Sequence, residues 1–183
     1  MGTANLRRYL NSLGKQVVNR SKANLKKTKG ETKLGNSIKY KIVKAGGSLD
    51  IKFSMDSYGS FLDKGVSGTK KKQSFKNQMN QSEVSPFKFG TGSSKVGKSK
   101  GGMSGIMSKW IKKKGFQWKD KKTGRFMSYK SMGYIVARSI YRDGLKGLSF
   151  FQKPLRLGMK NYESQVSRAV AKDIEEALAA QNK

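Results

Sequence analysis

Three aspartates, Asp50, Asp56 and Asp63, fall within one short stretch and are the first residues to test for chemistry, since clustered carboxylates hold the divalent ions of many nucleases. Asp50 lies in or beside a turn, and none of the three has a second carboxylate or a histidine at ligand spacing. The chain contains no His and no Cys. That removes imidazole and thiolate metal sites, thiol nucleophiles, disulfides and the usual general base near neutral pH. A second candidate is Gly92-Ser93-Ser94-Lys95-Val96-Gly97-Lys98-Ser99, which fits the numerical spacing of a phosphate-binding loop. No apolar strand leads into it and no apolar helix follows at once, so the context such a loop needs is missing. We expect no catalytic residue, no metal site and no cofactor.

What remains is charge. The 183 residues carry 40 Lys plus Arg against 11 Asp plus Glu, a formal net charge of +29. Such a surface repels its own copies and attracts polyanions without reading base sequence. Lys70, Lys71, Lys72, Lys95, Lys98, Lys100, Lys112, Lys113 and Lys114 sit among Gly and Ser and are the first candidates for contact with phosphates. The alternative use of these lysines is a solvated loop that keeps the protein soluble. A second patch, Lys119, Lys121, Lys122 and Arg125, is interleaved with Trp118 and Phe126. Aromatic interleaving fits base stacking on single strands, whereas for double-stranded DNA it fits packing or partner contact better. Phe87, Phe89, Trp110, Phe116, Trp118, Phe150 and Phe151 are candidate assembly-interface anchors, because aromatics remove much apolar area from water with few rotatable bonds. Met103, Met107, Met127 and Met132 read as adaptable packing.

These residues need a scaffold. Leu6, Leu10, Leu13, Val17, Val18 and Leu25 recur at helical spacing and predict a basic amphipathic helix ending near Lys29. It could pack on a sheet, lie on a membrane surface or act as a nucleic-acid arm, and its lack of Trp and Phe argues against the membrane. Ile38, Tyr40 and Ile42, then Leu49, Ile51, Phe53 and Met55, alternate on either side of Ala45-Gly46-Gly47-Ser48, which predicts a β-hairpin. Tyr58, Phe61 and Leu62 anchor a short helical turn, with Gly65 and Gly68 for its exit. Residues 70–102 read as a long basic loop or arm. Met103, Ile106, Met107, Trp110 and Ile111 predict a short helix. Residues 116–126 read as a two-stranded excursion or a simple loop, and 131–142 as another helix. A final helix is expected over about 152–180, marked by Leu155, Met159, Tyr162, Val166, Val170, Ile174 and Leu178. The whole is an α+β single domain over 1–183: a small antiparallel sheet covered by an N-terminal helix and a long C-terminal helix, with extended basic loops. No stretch approaches the roughly 20 apolar residues of a membrane span, and no signal peptide is visible. A soluble protein made in a cytoplasm is expected.

Leu34-Gly35-Asn36-Ser37-Ile38, the strand pair, and the run from Tyr58 through Phe61, Leu62, Asp63 and Gly65 together resemble a family of tailed-phage head–tail connector, neck and tail-completion proteins. The late Gly147-Leu148-Ser149-Phe150-Phe151-Gln152-Lys153-Pro154-Leu155, leading into a terminal helix, is similar to that family's late element. Over most of the chain the order agrees. The basic stretch from Lys70 to Lys122 is longer than the usual pattern, and with the charge it is similar to short-tailed gut-phage relatives. The resemblance implies a non-enzymatic virion protein at the head–tail junction, assembled in the host cytoplasm. It implies a homo-oligomeric ring, twelve copies by portal symmetry with six as the alternative. Its partners would be the portal protein, tail or neck proteins and the double-stranded DNA of the channel, with no membrane anchor. Tyr58, Phe61, Leu62, Asp63, Gly65 and Pro154 would be structural members of the motif, with Tyr58, Phe61 and Leu62 in the core. The competing reading is a basic architectural DNA-binding protein that works outside the virion. An RNA-binding protein is suggested by charge alone, without a recognisable RNA module.

Overall fold

The computed structural model describes residues 3–29, 32–46, 48–89 and 102–181. Lys95, Lys98 and Lys100, and with them the loop of phosphate-binding spacing from Gly92 to Ser99, lie outside the described residues. The fold is α+β, and its contacts gather into two units. The first comprises Met1–Lys64, Lys76–Glu83 and Leu148–Lys183; the second comprises Gly65–Phe75 and Val84–Gly147.

In the first unit, α1 (Ala4–Lys29) turns one apolar face inward, with Leu10, Leu13, Val17, Val18 and Leu25 all buried. The stripe is therefore covered by protein, and the packed-helix alternative holds for this face. A five-residue α2 (Lys33–Ser37) follows, begun by Thr32, whose hydroxyl accepts the Gly35 N–H at 3.2 Å. Strands β1 (Lys39–Ala45) and β2 (Ser48–Ser54) form the expected antiparallel hairpin, with Tyr40 opposite Phe53 and Ile42 opposite Ile51. Along β2 the half-buried residues are Leu49, Ile51 and Phe53 and the exposed ones alternate with them. Gly14 of α1 leaves room for the Tyr40 ring, which would collide with any Cβ there. The hairpin's inner face, α3 (Tyr58–Lys64), α6 (Gln152–Met159) and α7 (Tyr162–Gln181) complete a core centred on Val17, Leu25, Leu34, Ile38 and Phe150.

The C-terminal helical region departs from the expected single rod: it breaks at Lys160 and Asn161 into α6 and α7. Gly158, just before the break, comes so close to α1 that a Cβ would lie 2.7 Å from Leu13 Cδ1.

The second unit joins β3 (Gly65–Ser67) to β6 (Gly144–Lys146) in an antiparallel pair. Gly65 (φ +79°) and Gly144 (φ +81°) take up left-handed conformations where the opposite backbone leaves no space for a side chain. Ser67 also bridges Lys88. Helices α4 (Met103–Lys114) and α5 (Tyr129–Asp143) cross where Gly133 meets the backbone of Ser104 and Ser108, and Ile111, Met132 and Ala137 are fully buried. The stretch 70–89, expected as open loop, contains a small hairpin of β4 (Ser74–Lys76) and β5 (Ser82–Val84), with Phe75 buried. Among the described residues no helix is long and apolar enough to cross a membrane.

Candidate nucleic-acid interface

Charge is unevenly spread along the chain. The second unit holds nineteen of the lysines and arginines and only two acids, Asp120 and Asp143. Both carboxylates are already engaged. Asp143 is paired with the Arg142 guanidinium at 2.7 Å and accepts from Ser139. The Arg142 hydrogen bond holds its carboxyl below the usual carboxylate range. Asp120 accepts the N–H groups of Lys122 (2.9 Å) and Thr123 (3.0 Å), and these bonds, Thr123 first, lower its pKa as well.

Asp120 thereby organises the tip of the excursion that the sequence leaves open between two strands and a loop. Its own N–H donates to Arg125 O, Gly124 donates back to Asp120 O, and Met127 donates to Trp118 O, all at 2.8–2.9 Å. Lys119 and Phe126 form the single strand bridge, and Gly124 supplies the left-handed residue of the turn (φ +68°). The outcome is a tight two-stranded finger carrying Lys121, Lys122 and Arg125 at its tip, every one exposed. The Lys119 ammonium lies 5.1 Å from the centre of the Phe126 ring, so this aromatic serves a cation–π contact within the finger. Such a tip presents point charges and a fork of guanidinium donors, groups suited to phosphate oxygens.

The other lysine groups sit at helix ends. Lys112, Lys113 and Lys114 form the last turn of α4, which Gly115 terminates in the left-handed conformation, donating to Ile111 O and Lys112 O. Positive charge there complements the helix dipole as well as facing solvent. Lys70, Lys71 and Lys72 are exposed beside the end of α5, held by backbone bonds from Thr69 to Tyr141 O and from Lys70 to Arg142 O, each 3.0 Å. Lys130 and Arg138, outside the basic groups expected from the sequence, share one exposed face of α5 with Tyr134. Their four-residue spacing was the available signal.

The expected assembly aromatics divide into two sets. Trp110, Phe116 and Trp118 are between 40% and 46% exposed, with Trp110 and Phe116 in ring contact at 5.6 Å. Phe87 and Phe89 are half-buried, the latter against Tyr141. Phe150 and Phe151 are corrections: at 2% and 8% exposed they belong to the core of the first unit, where Phe151 meets Phe53 edge-on at 5.4 Å. Neither is free to anchor a neighbour.

The motif residues other than Gly65, which begins β3, fall in the first unit. Asp63 is 1% exposed and accepts the N–H of Phe151 at 2.8 Å and of Gln152 at 3.4 Å, so it caps α6 from a distant part of the chain. Burial raises its pKa against the lowering effect of these N–H groups and of Lys64. Backbone bonds from Leu148 to Leu62 O (2.8 Å) and from Ser149 to Asp63 O (3.0 Å) join the same two segments, and Pro154 is buried. Leu62 packs on the core, whereas Tyr58 and Phe61, expected there, are nearly half exposed on the outer face of α3. Asp50 and Asp56 are exposed and Asp63 is spent on its cap; among the described residues no three acids come together as a metal site would require. No protein-family model, no curated protein and no solved structure matches the chain.

Proposed function

We propose that this chain is a non-enzymatic structural subunit of a tailed bacterial virus, forming a ring at the head–tail junction that bridges portal and tail and lines or seals the DNA channel. The observation that carries the proposal is the knot at Asp63. The two segments responsible for the resemblance, 58–65 and 147–155, are far apart in sequence, yet side-chain and backbone hydrogen bonds join the end of one to the start of the other. That junction supports reading the two segments together.

The charge distribution supports the DNA-facing part of the reading. A cyclic assembly repeats the basic second unit around an axis, so a modest attraction per copy becomes a strong collective field on passing DNA. The finger at 118–127 and the lysines beside α4 and α5 are the groups that would face it. The same charge supports the second reading, a basic architectural DNA-binding protein that needs no ring.

The test is the absolute mass of the purified protein by light scattering over a salt series, with and without a double-stranded DNA fragment. A discrete closed oligomer, twelve copies on the portal-symmetry argument, is the expected result. Monomer or dimer at every salt concentration, binding DNA on its own, would favour the architectural protein instead.

A further inference from the structure

The far end of α7 is unlike the rest of the molecule. Residues 174–181 are exposed except for the half-buried Ala177, and they carry Glu175 and Glu176 with no lysine or arginine. Ile174 (37% exposed) and Leu178 (56%) lie four residues apart, on one side of the helix. In a chain of +29, this is an acidic surface with a largely exposed apolar stripe.

Its complement lies at the other end of the same helix. A cavity of about 670 Å³ opens between the β4–β5 turn, the end of α6 and the start of α7, a size that accommodates compact side-chain clusters. Met79 and Leu157 are 72% and 50% exposed there, and Arg156 and Lys160 give the rim its positive sign against the single acid Glu163. Ile174 and Leu178 match the apolar floor, and Glu175, beside that stripe on the helix, matches the basic rim, whereas Glu176 lies on the opposite side of α7. At 1.5 Å per residue, roughly 20 Å of helix separates the groove from its complement, so the end of α7 cannot reach the groove of its own chain.

We propose that the acidic end of α7 docks into the Met79–Leu157 groove of a second copy of this chain. The contact rests on the oligomeric part of the function proposed above and supplies its missing interface. Because the two faces differ, the contact is heterologous: each copy offers a groove to one neighbour and a helix end to the other. Repetition closes a ring where the rotation per copy divides a full turn, and otherwise continues as a filament.

The absence of native cysteine makes the contact directly readable. Full-length Leu157→Cys and Leu178→Cys variants, mixed and oxidised, should form the mixed disulfide at least ~10-fold faster than Leu178→Cys mixed with Lys41→Cys, a control on the exposed face of β1. The double variant Leu157→Cys/Leu178→Cys should give a ladder of multimers. Glu175→Lys should weaken association about 3-fold and adding Arg156→Glu should restore it, whereas Glu176→Lys, on the opposite side of the helix, should leave it within that range. No excess of the 157–178 disulfide overturns the contact. If light scattering meanwhile gives a discrete oligomer, the ring stands on another interface; if it gives monomer, the ring loses support too. A ladder with open-ended masses supports the contact and refutes the closed ring.

Discussion

Replacing Asp63 by alanine removes the acceptor that joins α3 to the start of α6. The Phe151 N–H, at 2.8 Å, loses a good bond inside the core; the Gln152 N–H, at 3.4 Å, loses a weak one. A buried donor left without a partner costs about 1–3 kcal/mol, and loss of a helix cap about 1 kcal/mol. The two penalties overlap here, since the same N–H groups are involved, and burying the carboxylate offsets part of them. We expect a net loss near 2 kcal/mol, which at ~1–3 kcal/mol per M lowers the urea midpoint by roughly 1 M. Asp63→Asn keeps an acceptor oxygen without the buried charge and should stay within ~1 kcal/mol of the parent. The pH dependence has a definite sign. The folded pKa lies above the ordinary 3.8, so the folded state holds this proton more tightly than the unfolded one. The resulting stability is fully present below pH 3.8 and is lost as pH rises through the folded pKa. Asp63→Asn should therefore gain on the parent as pH rises through that window. The assay is urea unfolding followed by circular dichroism from pH 3 to 7, because both tryptophans, Trp110 and Trp118, report on the second unit. Asp63→Ala within ~0.5 kcal/mol of the parent, or Asp63→Asn as damaging as Asp63→Ala, would refute the cap.

Gly133→Ala would gain about 1 kcal/mol from helix propensity alone, but its Cβ would meet Ser108 Oγ and lie 2.6 Å from Ser104 O. Overpacking should reverse the sign to a loss of ~1–3 kcal/mol, read by tryptophan fluorescence in urea. Removing the finger's charges with Lys121→Ala/Lys122→Ala/Arg125→Ala should flatten the plot of log Kobs against log salt for duplex DNA by up to ~2.7, measured by fluorescence anisotropy; an unchanged slope would place DNA elsewhere. Asp173 accepts the N–H groups of Asn5 (2.8 Å) and Leu6 (3.0 Å) at the start of α1, and although burial acts to raise its pKa, the bonds from Asn5, Leu6 and Ala4 bring it below the usual range. Its contribution is present above pH 3.8 and lost as pH falls through the folded pKa, so amide-exchange protection of Asn5 and Leu6 should drop there and be absent in Asp173→Ala.

The hairpin of β1 and β2 was legible because period-two burial leaves a direct mark on residue order: Tyr40, Ile42, Ile51 and Phe53 all fall on the inner face. The helix break was not. Leu155, Met159, Tyr162 and Val166 keep steps of three and four straight across Lys160 and Asn161, with no proline to interrupt them. The β4–β5 hairpin escaped notice because its strands are three residues long and β5 is exposed throughout, leaving no alternation to read. Phe150 and Phe151 looked like loop aromatics because what buries them, Asp63 and Phe53, lies nearly a hundred residues earlier. The basic surface was visible as composition. That Asp120 bends one part of it into a finger depends on hydrogen bonds to backbone N–H groups, which any residue sequence could supply.

The connectivity of the two caps sets an order of events during synthesis. Asp173 lies 168 residues after the Asn5 amide it receives, and the segments of the second unit fall between the pieces of the first. At 5–20 residues per second, α1 waits roughly ten to thirty seconds on the ribosome for the carboxylate that closes its first turn. During that interval its apolar stripe lacks the α6 and α7 surfaces that later cover it, while every strand and helix of the second unit has already been made. A nascent chain of this kind is most vulnerable at the segment made long before its cover, so a truncation that spares everything up to Gly147 would leave α1 with an exposed apolar face and an uncapped first turn.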